Sequence, residues 1–188
     1  MTLHDQIQMP PGEPLAMIKQ TVETLDYAMA KSDNPAMKAR WERLCNGETM
    51  AQVLDITKEE MEGLYAYGFS HIQQNAPDKG LEVFRQLIGL DPIEAKYRYC
   101  EGICHQMKGD LPEAARAYME FLGLDATNFD GYMRLAECHL ASGEPDLARR
   151  YFSIAIAEAE KITDVPGAAE ALALARAQIN SIDEGQSA

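Results

Sequence analysis

Apolar residues recur along this chain at steps of three and four, the spacing of a single helix face. In EPLAMIKQTVETLDYAMAK, positions Leu15, Ile18, Val22, Leu25 and Met29 step by 3, 4, 3 and 4. They predict a helix with Pro14 in its first turn and a stop at Ser32-Asp33-Asn34-Pro35. A second helix over AMKARWERLCNG carries Met37, Trp41 and Leu44 and ends at Asn46-Gly47. The short apolar piece TMAQVLDI then leads into Thr57-Lys58-Glu59-Glu60, a capping box that opens the next helix. Helical segments continue to residue 160. Beyond Thr163-Asp164 and Pro166 a last helix runs through AAEALALARAQI, with Leu172, Leu174 and Ile179 placed to seal what precedes it. Residues 1–12 and 183–188 read as loose ends.

The middle of the chain repeats itself. GLYAYGFSHIQQNAPDKGLEVFRQLIGLDP at 63–92, KYRYCEGICHQMKGDLPEAARAYMEFLGLDA at 96–126 and GYMRLAECHLASGEPDLARRYFSIAIAEAE at 131–160 align in gapless steps of 34 residues. Small residues recur at Gly68, Gly102 and Ala136 and again at Gly80, Ala114 and Ala148, and aromatics at Phe84, Tyr118 and Phe152. Turns fall at Asn75, Gly109 and Gly143, and Pro112 and Pro145 sit in first helical turns, where a missing N–H costs nothing. The pattern resembles the tetratricopeptide repeat, a helix, a turn and a second helix in a 34-residue period. It implies an all-α superhelix of three repeats, about 61–94, 95–128 and 129–162 within 57–162. A helical arm at 13–56 precedes them and a capping helix at 163–182 follows. Small residues let paired helices approach closely while the aromatic fills the gap between neighbours.

This register bears on the candidate chemistry. His71, His105 and His139 share one repeat position, as do Cys104 and Cys138. Equivalent positions on stacked repeats lie about 10 Å apart, whereas zinc ligands must all sit within about 2.0–2.3 Å of the ion. Cys100 and Cys104 are i, i+4 on one helix, with no further ligand pair evident on that face. The thiols and imidazoles read as packing residues, and no metal or cofactor is expected. No nucleophile elbow, phosphate-cradling glycine loop or carboxylate cluster appears, so no enzyme is expected.

Net charge is −13, which repels phosphate backbones and argues against nucleic acid as a partner. No apolar run approaches the roughly 18 residues that span a bilayer, and the N-terminus shows no secretory signal. The expectation is a cytoplasmic protein with reduced cysteines and no membrane insertion.

A superhelix of helix pairs lines its concave face with the first helix of each pair. Repeat positions two, five, nine and twelve form one stripe along each such helix. These are Glu62, Tyr65, Phe69 and Ile72, then Lys96, Tyr99, Ile103 and Gln106, then Asp130, Met133, Glu137 and Leu140. Tyr65 and Phe69 stand where a carboxylate clamp would need Lys and Asn, so an extended apolar segment suits the surface better. Three aliphatic anchors at roughly 1.5–3 kcal/mol each give reversible binding once ordering costs are subtracted.

AECHLASGE at 136–144, GICHQMKGD at 102–110 and LCNGETMAQVLDITKEEMEGLYAYGF at 44–69 resemble the class II chaperones of bacterial type III secretion systems. The resemblance covers about residues 40–160. It implies a chaperone whose groove holds an extended segment of hydrophobic translocator proteins and whose arm forms a homodimer. Tyr65, Phe69, Ile72, Tyr99 and Ile103 are the implied peptide contacts, followed by Gln106, Met133 and Leu140. The stripe Leu15, Ile18, Val22, Leu25 and Met29 is read as a dimer interface, with folding back as a cap the other reading. An adaptor joining folded proteins through the convex helices is the alternative function. Arg98 and Glu101 depart from the pattern, which expects apolar residues there. Either their helix is rotated or the pair sits at an opening.

Overall fold

A computed structural model describes residues 23, 27–29, 31–162 and 167–185. The described residues form nine helices and no strand, the all-α expectation. In chain order they are α1 (Pro35–Cys45), α2 (Met50–Val53), α3 (Lys58–Gln73), α4 (Pro77–Leu90) and α5 (Ala95–Met107). There follow α6 (Leu111–Leu124), α7 (Phe129–Ala141), α8 (Pro145–Ala159) and α9 (Ala168–Gly185). Of the N-terminal stripe, Leu15, Ile18, Val22 and Leu25 lie outside the described residues, and Met29 is half-buried.

Caps written in the sequence set the helix starts. The Thr57 hydroxyl accepts from the Glu60 backbone N–H at 3.2 Å, and the Glu60 carboxylate accepts from the Thr57 N–H at 2.8 Å. That hydrogen bond holds the Glu60 carboxyl below the usual carboxylate range. Thr49 and Gln52 form a second capping box on α2. Each helix pair turns through a left-handed residue, at Asn75 (φ 55°), Gly109 (φ 75°) and Gly143 (φ 76°). Glycine adopts this conformation freely and asparagine more easily than most residues.

Three apolar clusters run through the stack, and successive helix pairs share each one. Leu81, Phe84 and Leu87 of α4 pack with Tyr97, Cys100 and Cys104 of α5. Tyr118, Phe121 and Leu122 of α6 pack with Leu135 and Cys138 of α7. Met133, Ala136, Ala148, Phe152 and Ala155 pack with Ala175 and Ile182 of α9. The recurring aromatics Phe84, Tyr118 and Phe152 are all fully buried. A Cβ on Gly102 would lie 2.5 Å from Cε1 of Tyr118, so only glycine permits this approach.

Two expectations are corrected here. Met133, assigned to the groove, is 4% exposed and belongs to the third cluster, because its helix turns that position toward Phe152 and α9. Leu174, assigned to the terminal seal, is 48% exposed. Ala168, Ala175 and Ile182, spaced by sevens on one face of α9, are buried in its place.

Glu101 occupies a buried slot, 4% exposed, equivalent to that of Leu135 one period later. The α5 helix is therefore not rotated. Arg98 pairs with Glu101 at 2.9 Å, Arg85 of α4 approaches it at 3.6 Å, and Arg98 also pairs with Glu120 of α6 at 2.9 Å. The charge is met by Arg98 of its own helix and Arg85 of the preceding one, the condition on which a buried ion is tolerated.

Gly102→Ala should destabilise the protein by about 1–3 kcal/mol, since the Tyr118 ring has to yield. Gly123→Ala on α6, where a Cβ meets open space, should be neutral or stabilising by up to about 1 kcal/mol. Thermal melts of the two variants check the pair.

Candidate functional site

The site begins as a stripe on α3, α5 and α7. Tyr65 is half-buried and stacks on Phe69 with ring centroids 6.1 Å apart and planes 23° from parallel. Its other faces meet Phe84 and Tyr97, each at 6.1 Å, so one ring is at once core and wall. Phe69 remains 37% exposed, a large apolar surface left facing solvent. On α5, Tyr99 lies 5.8 Å from Tyr118 and 5.2 Å from Phe121, with half-buried Ile103 one turn on. Half-buried Ile72 packs against the first cluster and half-buried Leu140 against the third.

Polar groups fix these side chains across the repeat boundaries. Lys96 pairs with Glu62 and places its ammonium 4.7 Å from the Tyr65 ring centroid. The Cys100 thiol donates to the Tyr65 hydroxyl at 3.8 Å. The Tyr99 hydroxyl donates to Asp130 and accepts from Arg134 Nε at 3.3 Å. Gln106 donates to Glu137 at 3.2 Å and accepts from the Tyr118 hydroxyl at 2.8 Å. The stripe is thus a sequence of apolar patches separated by inter-repeat ties. Burial and the neighbouring Asp130 push the Tyr99 phenol up to about 12.

The stripe has a cavity near each end. Toward the N-terminal end one of about 310 Å³ has Ala51, Met61 and Tyr97 on its lining together with Glu62, Asp91 and Glu94. Toward the C-terminal end one of about 230 Å³ is lined by Glu137, Leu140, Ala141, Phe152, Leu174 and Gln178. The contribution of α9 was missed by the sequence reading, although Leu174 lies 34 residues beyond Leu140. Lys96 was placed on the stripe, but its contact with the Tyr65 ring was missed, because cation–π geometry leaves no periodic trace.

The histidines and thiols serve the packing. His71, His105 and His139 are all buried. Tyr67 meets the His71 ring edge-on at 4.6 Å, and Asp110 stands 3.4 Å from His105 Nδ1. His139 stacks on Tyr151 and lies 2.8 Å from Glu144. Burial pushes the Cys100 thiol up to about 11 and those of Cys104 and Cys138 to about 12.

A tetratricopeptide-repeat family model matches residues 65–129 and 108–161. The solved PcrH, in complex with the chaperone binding region of PopB, is 30% identical, with a TM-score of 0.61 over 65% of this chain and 97% of its own. The chain belongs to the class II type III secretion chaperones of the tetratricopeptide-repeat family. PcrH comes from Pseudomonas aeruginosa. A chain of similar architecture is in a type III secretion complex from Aeromonas hydrophila, at 27% identity and a TM-score of 0.71, covering 82% of this chain and 99% of its own. The low calcium response locus protein H of Yersinia pseudotuberculosis is 27% identical over 150 residues, 80% of this chain and 82% of its own. No helix among the described residues is long and apolar enough to cross a membrane.

The buried thiols yield a direct check on the site's chemistry. At pH 8 alkylation should mark only exposed Cys45 in the native chaperone. Thiols raised to about 11 or 12 are ionised there to about one part in a thousand or less. Denaturation should release the other three for labelling, as mass spectrometry would show. The same shifts fix the sign of the alkaline response. These thiols ionise more readily when unfolded, so stability should fall as pH rises above about 9. A lower melting temperature at pH 10 than at pH 8 is expected.

Proposed function

We propose that the chain is a cytoplasmic chaperone that holds an extended apolar segment of a hydrophobic translocator protein along its concave face. The observation that carries this is the partly exposed row Tyr65, Phe69, Ile72, Tyr99, Ile103 and Leu140, pinned across repeat boundaries by Lys96, Gln106 and Arg134. Walls fixed before the guest arrives reduce the ordering cost of binding. The row crosses three repeats, which suits a strand-like guest better than a compact one. The relative crystallised with the PopB chaperone binding region supports the same reading.

The reading includes a homodimer. The slot that is filled by Glu101 in the second pair and Leu135 in the third, both buried against a preceding helix, holds Tyr67 in the first. Tyr67 is 57% exposed and nearby Leu64 37% exposed on α3, so the first repeat presents an apolar open end. The N-terminal arm of a second copy, with its apolar stripe, has the chemistry to cover it.

Two experiments test these statements. The Tyr65→Glu/Phe69→Glu variant, expressed with the PopB chaperone binding region, should lose co-purification, with affinity down by about a hundredfold or more. Retained binding would refute the groove assignment and favour a convex-face adaptor. Leu64→Glu/Tyr67→Glu should convert the dimer to monomer in light scattering, and an unchanged mass would refute the open-end interface.

A further inference from the structure

We propose that the groove continues past the third repeat onto α9, where the 230 Å³ pocket takes one uncharged apolar side chain of the guest segment and sets part of the chaperone's specificity. This rests on the groove reading above and adds a position that the three repeats alone do not supply.

Fully buried Phe152 contributes to the pocket, and Leu140, Ala141 and Leu174 form its other apolar walls. Leu174 is the informative member. Its neighbours along α9, Ala168, Ala175 and Ile182, are buried in the terminal seal, while Leu174 stays 48% exposed beside Leu140. The position of α9 is set independently, by that seal and by ion pairs from Arg149 to Asp183 at 2.8 Å and from Arg176 to Glu160 at 2.7 Å. Leu174 is therefore not needed to hold the helix down.

Continuity ties the pocket to the guest and not to a separate ligand. Leu140 stands at the same repeat position as Ile72 and Gln106, and Gln106 is bonded to Glu137, itself a lining residue. A segment running along the row reaches the pocket one repeat beyond α5. At about 10 Å per repeat and about 3.3 Å per extended residue, that is about three residues further along the guest.

The lining also selects the side chain. No lining residue is basic, and Glu137 disfavours a carboxylate. Its Oε2 already accepts from Gln106 and Arg134, so a guest cation would compete with ties inside the protein. An apolar cavity of about 150 Å³ suffices for a benzene-sized group, so leucine, methionine or phenylalanine fits the space.

The test measures binding of the PopB chaperone binding region to the full-length chain by fluorescence anisotropy. Leu174→Ala should weaken binding about tenfold and Leu174→Glu by more, with both melting temperatures close to that of the unaltered protein. An alanine scan of the probe should find one apolar residue whose replacement loses most of its effect in the Leu174→Ala background but keeps it in a Phe69→Ala background. If both Leu174 variants bind within twofold of the unaltered chain while Tyr65→Glu/Phe69→Glu abolishes binding, this proposal fails and the groove reading stands. If no probe residue couples to Leu174, the proposal also fails. If the double variant binds normally, or the unaltered chain does not bind the probe, the groove reading falls and takes this inference with it.

Discussion

The close approach of paired helices at Gly102 and Tyr118 is the constraint from which the rest follows. A ring that reaches within 2.5 Å of a missing Cβ fixes the separation and rotation of α5 against α6. Gly68 repeats the arrangement one period earlier, where a Cβ would lie 3.0 Å from Phe84, and one period later the small residue Ala136 shares a cluster with Phe152. With each pair set in this way, the remaining apolar faces point at the next pair, and every cluster has to be completed by a neighbour. A stack built like this needs a terminator, which explains why α9 buries alanines and Ile182 against the last pair. It also explains why the first pair leaves Leu64 and Tyr67 uncovered.

The same geometry makes the binding face stiff. Side chains on the first helices of adjacent pairs come close enough for Glu62 to meet Lys96, Tyr99 to meet Asp130 and Gln106 to meet Glu137. Each contact joins residues 31 or 34 apart in sequence, so each one spans a repeat boundary. Polar ties between apolar patches leave the patches available while preventing them from collapsing onto one another.

Much of this was legible in the chain because the repeat is gapless. Turn glycines, first-turn prolines and the small-plus-aromatic pairs each carry a local reason to sit where they do, and the 34-residue step multiplies that evidence. Legibility ends where one position can face two ways. Met133 sits on the predicted stripe, yet its side chain turns into the third cluster, because a stripe drawn at 3.6 residues per turn does not say where wall ends and core begins. Leu174 failed in the opposite sense: an apolar residue on a terminal helix reads as seal, and only the seven-residue spacing of Ala168, Ala175 and Ile182 shows that another face does the sealing. Glu101 shows a third limit, since a carboxylate in an apolar slot becomes intelligible only once Arg85 and Arg98 are seen to converge on it.

Tyr65 and Tyr99 belong to the interior packing and, on the proposed reading, to the receptor surface as well. A visitor seated on them completes contacts that the folded chain otherwise leaves half-made, so occupancy and folding free energy are linked. On that reading the vacant chaperone would be the softer of the two forms, as linkage requires when a guest binds only the folded chain.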